Sequence, residues 1–317
     1  MTATTPPNRT GADRIRLGTA PDSWGVWFAD DPAQLPWQRF LDEVSAAGYH
    51  WIELGPYGYL PTDPHRLRDE LDRRGLRVSG QAVFAALHRG LDAWDGALAD
   101  TRKVAELITV LGAHNLVCLP ELYRASDASG TLLEPARLST EQWNRLVTGV
   151  SRLARIVAEE YGVRLRFHPH ADTHVGNQQQ VERFLADTDP DTVSLCLDTG
   201  HLAYYRGDNL ELIGRYPDRI GYVHLKQVDP AVVDQVEASG LSFAQAVRAG
   251  VMVEPPKGLP DLEPVIEALA GLDADLFAIV EQDLYPCDPD VPLPIATRTR
   301  SYLGGCGLGA GRPGGSR

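Results

Sequence analysis

The sequence predicts an α/β protein that folds as a single closed (β/α)8 barrel. Short β-branched or aliphatic runs alternate with longer segments of helical period, and this pairing repeats eight times along the 317 residues. Parallel strands joined by helices close into a barrel within about 250 residues. An open sheet of eight parallel strands would need a reversal of strand order that nothing in the sequence marks. A doubly wound sheet is therefore the alternative.

Each predicted strand is a short apolar run. The strands are expected at residues 15–19, 51–54, 77–81, 115–119, 164–167, 193–197, 220–225 and 276–280. Helices are expected at residues 36–47, 64–74, 98–111, 140–160, 180–187, 209–216, 261–270 and 296–303. Gly112 and Gly162 suit the left-handed residue that ends a helix. Ser139 or Thr140, followed by Gln142, predicts an N-terminal cap.

The two ends of the chain differ in composition from the region between them. Residues 1–13 are rich in Thr, Pro and Gly, and residues 305–317 are mostly Gly with Arg, Pro and Ser. Such segments have too little apolar surface to offset the entropy lost on ordering. We therefore expect disordered tails at 1–13 and 305–317, and one barrel domain at 14–304.

Composition excludes several classes of protein. Hydrophobic residues make up 43% of the chain and charged residues 23%, as in ordinary globular domains. The net charge of −13 argues against a nucleic-acid partner, because phosphate backbones are bound by clustered Lys and Arg. The spacing of the four cysteines fits no disulfide framework, and Cys118 and Cys196 lie in core-like apolar runs. With no signal sequence or membrane-spanning run, we expect a cytoplasmic protein without a membrane partner.

Residues that can bind a metal gather at the predicted carboxyl ends of the strands. In a barrel of this kind, those ends and the loops after them form the active site. Five of the nine histidines fall there, namely His88, His168, His170, His201 and His224. Imidazoles and carboxylates that converge at one mouth have the donor types that hold a divalent transition metal.

Four consecutive strand ends supply the candidate metal ligands. They are His168, Asp198, His224 and Glu281, from strands five to eight. Each residue alone could be an ordinary hydrogen-bonded strand end or helix cap. Independent capping does not explain why consecutive strand ends carry these residue types. Mixed nitrogen and oxygen donors fit Mn, Co, Fe or Zn better than Ca or Mg.

The motifs around these residues resemble those of the xylose isomerase-like TIM-barrel superfamily. The matching stretches are DTGH at 198–201, VHLK at 223–226 and VEQD at 280–283. The resemblance extends over roughly residues 14–304. Within the superfamily, the inosose (2-keto-myo-inositol) dehydratase branch is the most similar, through FHPHA at 167–171, LGTAP at 17–21 and ELG at 53–55.

The resemblance implies that Asp198, His224 and Glu281 are metal ligands. In the isomerases and epimerases of the superfamily, the fifth strand supplies a glutamate that binds metal and moves a proton, and this position is His168 here. A two-glutamate proton shuttle therefore lacks one member. A metal-assisted elimination of water tolerates this change better, because it needs one base, a Lewis acid and an acid for the leaving hydroxyl.

This chemistry gives the neighbouring residues expected roles. The metal would polarise the ketone of a polyhydroxylated ring, and His170 or His201 would remove the adjacent proton or protonate the leaving hydroxyl. Lys226 would stabilise the developing negative charge. Glu281 is expected to act in catalysis as well as in metal binding, and Glu53 is expected to hold ring hydroxyls.

Four further residues are candidates for contact with substrate. Trp24, together with Trp27, could form an apolar wall of the site or pack in the core beneath its loop. His88 could contact substrate or be a hydrogen-bonded loop histidine. Glu121 could reach the metal or a ring hydroxyl.

The connection over residues 226–260 is longer than the roughly 2–6 residues usual after a barrel strand. It contains helix-like segments at 231–238 and 243–249. Long ordered connections are often lids or binding loops, so this one predicts a cap over the site. A peripheral insertion is the alternative.

The sequence thus predicts a metal-dependent lyase that dehydrates inosose or a related cyclic keto-polyol. A sugar isomerase or epimerase and β-elimination from a 3-keto-glycoside stay open, because all three share the fold, the metal and the enolate chemistry. The expected metal is Mn or Co, with Zn, Fe or Mg as alternatives. The expected partner is a small polyhydroxylated ketone or sugar, and a homo-oligomer is compatible with the sequence.

Overall fold

Eight parallel strands form a closed barrel at the centre of the protein. The computed structural model describes residues 11–309. The barrel strands are β1 (Ile15–Thr19), β2 (Trp51–Glu53), β3 (Arg77–Ala85), β4 (Asn115–Pro120), β5 (Arg164–Phe167), β6 (Ser194–Asp198), β7 (Ile220–Leu225) and β10 (Leu276–Val280). Their circular order is β1-β10-β7-β6-β5-β4-β3-β2. The predicted (β/α)8 barrel is therefore confirmed over the doubly wound sheet.

Helices connect the strands and surround the barrel. They are α1 (Trp37–Ala46), α2 (Pro64–Asp72), α3 (Leu91–Val110), α4 (Thr140–Tyr161), α5 (Gln178–Asp187), α6 (Thr199–Tyr204), α7 (Asn209–Arg215), α8 (Pro230–Ser239), α9 (Phe243–Arg248), α10 (Leu262–Ala270) and α11 (Pro292–Gly305). Short 3₁₀ turns lie at Gly11–Arg14, Pro21–Trp24, Leu87–Arg89 and Pro217–Arg219. None of the helices within residues 11–309 has both the length and the apolar character needed to cross a bilayer.

Local sequence signals account for most helix ends, and α4 shows this directly. The Ser139 hydroxyl accepts a hydrogen bond from the backbone N–H of Gln142, and the Gln142 side chain accepts one from the backbone N–H of Ser139. This reciprocal pair is a capping box. At the other end, Gly162 takes the left-handed conformation, with φ 64°. Both features were predicted from the sequence.

The start of α3 differs from the sequence prediction. The helix begins at Leu91 rather than at residue 98. Gly96 weakens the helical pattern there, since glycine costs about 1 kcal/mol relative to alanine in a helix. The buried Trp94 ring compensates, and the Arg152 guanidinium lies over it, 4.1 Å from the ring centroid. Burial of so large a side chain outweighs the cost of the glycine.

The apolar core has two layers. Inside the barrel, a small cluster includes Val117, Cys196 and Ile279. A larger cluster between the strands and the outer helices includes Phe40 and Cys118. Both cysteines are buried, as predicted. Because side chains fill the barrel interior, a ligand site can form only where the strands end.

The ordered structure extends beyond the predicted domain bounds of 14 and 304. Gly11 lies so close to the end of α10 that a Cβ atom there would be 2.0 Å from the carbonyl oxygen of Ala270. Beyond α11, Leu308 is buried. The remaining parts of the predicted tails, residues 1–10 and 310–317, lie outside the described residues.

Residues 226–260 form a separate unit beside the mouth of the barrel. The unit contains α8, α9 and an antiparallel pair of short strands, β8 (Gln227–Val228) and β9 (Met252–Val253). The sequence did not predict this pair. The ring of Phe243 contacts His170 with centroids 5.1 Å apart, and the backbone N–H of Phe243 donates to the carboxylate of Asp172. The unit therefore contacts the loop after β5, and its role as a cap over the site stays a prediction.

Glu254 links this unit to α11. Its carboxylate accepts hydrogen bonds from the Arg298 guanidinium at 2.6 and 3.0 Å and from Lys257 at 2.9 Å. The hydrogen bonds from Arg298 are the main reason that the pKa of Glu254 is lowered. A carboxyl group with a lowered pKa stabilises the fold above its unfolded-state pKa, and this contribution disappears as the pH falls through the folded-state pKa.

We expect Glu254→Gln to lower the melting temperature by about 2 °C at neutral pH, since partly exposed ion pairs contribute modestly. The difference from the unmutated protein should shrink as the pH falls below about 4, where the carboxylate becomes protonated. Thermal unfolding between pH 3 and pH 7 measures both effects. Glu267→Gln, at an exposed position of α10, is the matched control. A difference that does not change with pH would contradict the assignment.

Candidate metal centre and active site

Four donor side chains meet at the carboxyl ends of the strands. His168 follows β5, Asp198 ends β6, His224 lies in β7 and Glu281 follows β10. Asp198 and His224 are direct neighbours in the register of β6 and β7. All four side chains are buried. The structure thus brings together the complete set of predicted metal ligands.

The distances between the donor atoms suit a single divalent ion. His224 Nδ1 lies 2.9 Å from His168 Nε2, 3.0 Å from Glu281 Oε2 and 3.6 Å from Asp198 Oδ2. His168 Nε2 lies 3.4 Å from Asp198 Oδ2. Ligands about 2.0–2.2 Å from one metal, at tetrahedral or octahedral angles, are themselves about 3–3.5 Å apart. These four residues form one of the metal-compatible groups among residues 11–309.

The residues behind the donors hold them in this orientation. Asp198 Oδ1 accepts hydrogen bonds from the backbone N–H groups of Gly200 and His201, at 2.9 and 2.8 Å, because Asp198 caps α6. Its other oxygen, Oδ2, is buried and lies 3.2 Å from Lys226 Nζ, 3.4 Å from His168 Nε2 and 3.6 Å from His224 Nδ1. A carboxylate oxygen that faces two imidazole nitrogens in this way fits a metal ligand.

Glu53 lies behind His224 and lines the cavity. Its Oε2 is 3.0 Å from His224 Nε2, on the opposite side of the imidazole from the four-donor cluster. Metal-binding histidines usually donate their second N–H to such a carboxylate, which fixes the ring orientation. Glu53 therefore contacts His224. Its contact with ring hydroxyls of a substrate stays a prediction.

Lys226 lies among the carboxylates of the site. Its Nζ is 3.2 Å from Asp198 Oδ2, 3.0 Å from Glu281 Oε2 and 3.0 Å from Asp283 Oδ2. Burial opposes the charge on Lys226, but the three carboxylates outweigh this effect and raise its pKa well above the ordinary value. The ammonium group is therefore charged at neutral pH.

The cavity at the barrel mouth carries an excess of acidic groups. Its volume is about 400 Å³, and the acidic residues that line it include Asp22, Glu53, Glu281 and Asp283. Burial, together with repulsion from Glu281 and Asp283, raises the pKa of Asp22 well above the ordinary value. Apart from Asp22, the carboxyl groups of Asp198, Glu281 and Asp283 still outnumber the ammonium of Lys226 that contacts them. A divalent cation between the four donors would relieve the excess, so the residues fit a metal ion.

His170 and His201 occupy different positions in the site. His170 lines the cavity. Burial and the nearby His168 lower the pKa of His170 to about 3, so the ring is neutral at neutral pH. His201 is buried, and its Nε2 is 3.3 Å from Lys226 Nζ. Of the two predicted acid–base residues, His170 is therefore the one placed against the cavity.

Trp24 is a core residue, and its predicted place in the wall of the site is wrong. It is 1% exposed, its ring makes an edge contact with Phe40, and its indole N–H donates to Glu43. The 3₁₀ turn that it ends turns the side chain away from the mouth. Trp27 lines the cavity instead and stacks on Tyr285 with centroids 5.0 Å apart.

The two other predicted contact residues lie away from the metal donors. His88 is fully buried and bonded to Glu134, so the loop-histidine interpretation is the correct one and its predicted contact with substrate is wrong. Glu121 lines a side groove that shares Trp27 and His170 with the main cavity. Burial raises the pKa of Glu121. It is outside the four-donor cluster, and contact with substrate stays a prediction.

Two acidic residues of the cavity, Asp22 and Asp283, were not predicted from the sequence. Asp22 follows β1 by three positions, and Asp283 follows Glu281 by two. Both lie just beyond a strand end, which is the positional signal that pointed to Glu281. That signal could have found them.

The chain is similar in sequence to known proteins. A family model described as xylose isomerase-like TIM barrel matches residues 41–295. An inosose dehydratase of Lacticaseibacillus casei is 30% identical over 295 residues, which cover 91% of this chain and 96% of that protein.

Two solved structures show the same fold. The IolI protein with a bound zinc atom has a TM-score of 0.65 at 16% identity, covering 91% of this chain and 98% of that one. The probable 3-DHS dehydratase AsbF of Bacillus anthracis has a TM-score of 0.67 at 14% identity, covering 92% and 99%.

The fold is a closed parallel barrel, and imidazole and carboxylate side chains cluster at its mouth. These two features are typical of (β/α)8 enzymes whose active sites have metal-binding side chains. The chain belongs to the xylose isomerase-like TIM barrel family.

We expect Glu53→Gln to weaken the affinity for a divalent metal about 10- to 100-fold, because the amide cannot replace the charge behind His224. Isothermal titration calorimetry of the metal-free protein with Co²⁺ measures this change. Glu121→Gln is the matched control, since Glu121 lies in the side groove and should leave the affinity unchanged. Equal affinities in the unmutated protein and Glu53→Gln would contradict the assigned role of Glu53.

Proposed function

We propose that the protein is a metal-dependent lyase that dehydrates inosose or a related cyclic keto-polyol. The arrangement of His168, Asp198, His224 and Glu281 at one cavity carries this proposal, together with a neutral His170 and a charged Lys226 beside it. The 30% identity to an inosose dehydratase over most of both chains supports the choice of substrate class.

His168, Asp198, His224 and Glu281 would hold the metal, with Mn or Co as the first choice and Zn, Fe or Mg as alternatives. When bound, the ion supplies Lewis acidity toward the ketone oxygen and makes the neighbouring C–H group more acidic. The chain's contribution is a fixed set of donors and a charged cavity around the reacting carbon atoms.

His170 accepts the proton from the carbon next to the ketone. It lines the cavity, and burial keeps its ring uncharged at neutral pH, so a lone pair is available. The backbone carbonyl of Ala171, 2.6 Å from Nδ1, holds the tautomer with Nδ1–H and leaves Nε2 as the basic atom. Removal of this proton begins the formation of the new C=C bond.

Asp22 donates a proton to the hydroxyl group that leaves the β-carbon. Its carboxyl group lines the same cavity, and burial raises its pKa, which favours the protonated form that can act as an acid. The C–O bond breaks as the C=C bond forms, and the hydroxyl departs as water. His170 then releases the proton that it accepted, and Asp22 regains the proton that it donated, both by exchange with solvent. Lys226 places a positive charge beside the cavity, where it opposes the negative charge that develops.

The residue at the end of β5 favours dehydration over epimerisation. An epimerase of this family type needs a base on each face of the reacting carbon, and the strand-five position that would supply one holds an imidazole, His168, that points at the other metal donors. Elimination needs a single base at the carbon and an acid at the leaving group. His170 and Asp22 provide these two functions.

Purified protein loaded with Mn²⁺ or Co²⁺ should dehydrate inosose. The product should show the new ultraviolet absorbance of an unsaturated ketone or a diketone. Glu281→Gln should abolish both metal retention and turnover, because it removes a charged donor. Elemental analysis and the absorbance assay measure the two effects separately. Formation of an epimerised ketone without loss of water would overturn dehydration, and full activity with retained metal in Glu281→Gln would overturn the ligand assignment.

We expect His170→Gln to lower kcat by about 10²- to 10⁴-fold, because general base catalysis has that size. Metal content should be unchanged, since His170 is outside the four-donor cluster. His114→Gln is the matched control, because His114 is exposed near the opposite end of the barrel. Activity in His170→Gln equal to that of His114→Gln would exclude His170 as the base.

A further inference from the structure

A second group of metal-type side chains lies outside the cavity. It consists of His88, Glu134 and His174, and we call it the loop cluster. His88 is in the 3₁₀ turn after β3, Glu134 is in the connection after β4, and His174 is in the connection after β5. One donor atom from each residue lies within 4.8 Å of those from the other two.

His174 has the bonding pattern of a metal ligand. Its Nε2 is 3.0 Å from the carbonyl oxygen of Pro135, which can only accept a hydrogen bond, so Nε2 carries the proton and donates it to that bond. The neutral ring therefore has a lone pair on Nδ1. This atom is buried and has no hydrogen-bond partner within residues 11–309. Metal-binding histidines commonly donate their second N–H to a backbone carbonyl in this way.

His88 and Glu134 supply two further donors at close range. His88 Nε2 is 2.9 Å from Glu134 Oε1 and 3.0 Å from Oε2, a spacing that also suits two ligands of one ion. The rings of His88 and His174 lie with centroids 4.6 Å apart. The side chain of Glu134 is partly exposed and belongs to a loop, so it can adjust to an ion.

The charges of the group also suit a cation. Burial lowers the pKa of His174, which keeps the ring unprotonated. Burial would raise the pKa of Glu134, but hydrogen bonds from His88 and Arg89 lower it, so the group is a carboxylate. Arg89 is half-exposed and 3.3 Å from Glu134. Its guanidinium can move into solvent when an ion binds.

We propose that the loop cluster binds a divalent transition metal, with Zn²⁺ as the best match to two imidazoles and one carboxylate. Three protein ligands leave a fourth position for water. The ion would join the loops that follow β3, β4 and β5. Residues 168–177 between β5 and α5 also carry His168 and His170, so the ion would fix the backbone that positions both. Binding of this ion does not depend on the proposed reaction.

The test separates the two metal sites. The double variant His224→Gln/Glu281→Gln removes two donors of the cavity cluster and leaves the loop cluster intact. Metal-free protein of this variant should bind about one equivalent of Co²⁺, with absorption bands typical of a low-coordinate ion. Adding His174→Gln should weaken this binding at least tenfold. Adding His114→Gln instead is the matched control and should leave binding unchanged.

Two further measurements distinguish loss of a metal ligand from misfolding of the His174→Gln variant. Glu134→Gln, at a partly exposed position, should cause a similar loss of Co²⁺ binding while the circular dichroism spectrum stays the same. Zn²⁺ should raise the melting temperature of the double variant and not that of the form that also carries Glu134→Gln. The proposal is overturned if the double variant binds no metal, or if it binds equally well after His174→Gln or Glu134→Gln. An anomalous scattering map of zinc-soaked crystals with no peak at the cluster would also overturn it.

Discussion

Burial of several carboxylates at one end of the barrel is the constraint on which the site depends. Removing a carboxylate from water costs several kcal/mol unless a cation or hydrogen-bond donors compensate for it. Lys226 contacts Asp198, Glu281 and Asp283 at 3.0–3.2 Å and compensates in part. One ammonium does not neutralise three carboxylates, and this excess of negative charge supports the proposed metal site. Under the proposed function, a bound metal ion would therefore also stabilise the folded barrel.

The cluster of His168, Asp198, His224 and Glu281 could be predicted because the geometry of a barrel fixes where each strand ends. Parallel strands end at the same mouth, so a residue's position in its strand decides whether it lies there. Asp198 and His224 illustrate this, since they are paired in register and lie at adjacent strand ends. The eight strands themselves follow from continuous apolar runs, which is why their predicted limits agree with the structure to within one residue, except at the carboxyl end of β3.

Residues in the loops could not be placed in the same way. Trp24 and Trp27 are three positions apart, and only the 3₁₀ turn Pro21–Trp24 decides that the first is buried and the second faces the cavity. His174 lies six positions beyond His168, and its partner Glu134 belongs to another loop. Such pairings depend on how separate loops pack on each other. The spacing of residues along the chain does not predict this packing.

The loop after β5 shows how the fold can turn a mobile region into a fixed one. Loops are the least rigid parts of a barrel, yet donors and bases must be held within a fraction of an ångström. On one side of this loop, Asp172 accepts a hydrogen bond from the backbone of Phe243, in the 226–260 unit. On the other side, His174 bonds to the backbone of Pro135. His170 lies before these two anchors, and its ring packs against Phe243. Its position is therefore set by contacts from two separate parts of the chain, which leaves little freedom to the group placed against the cavity.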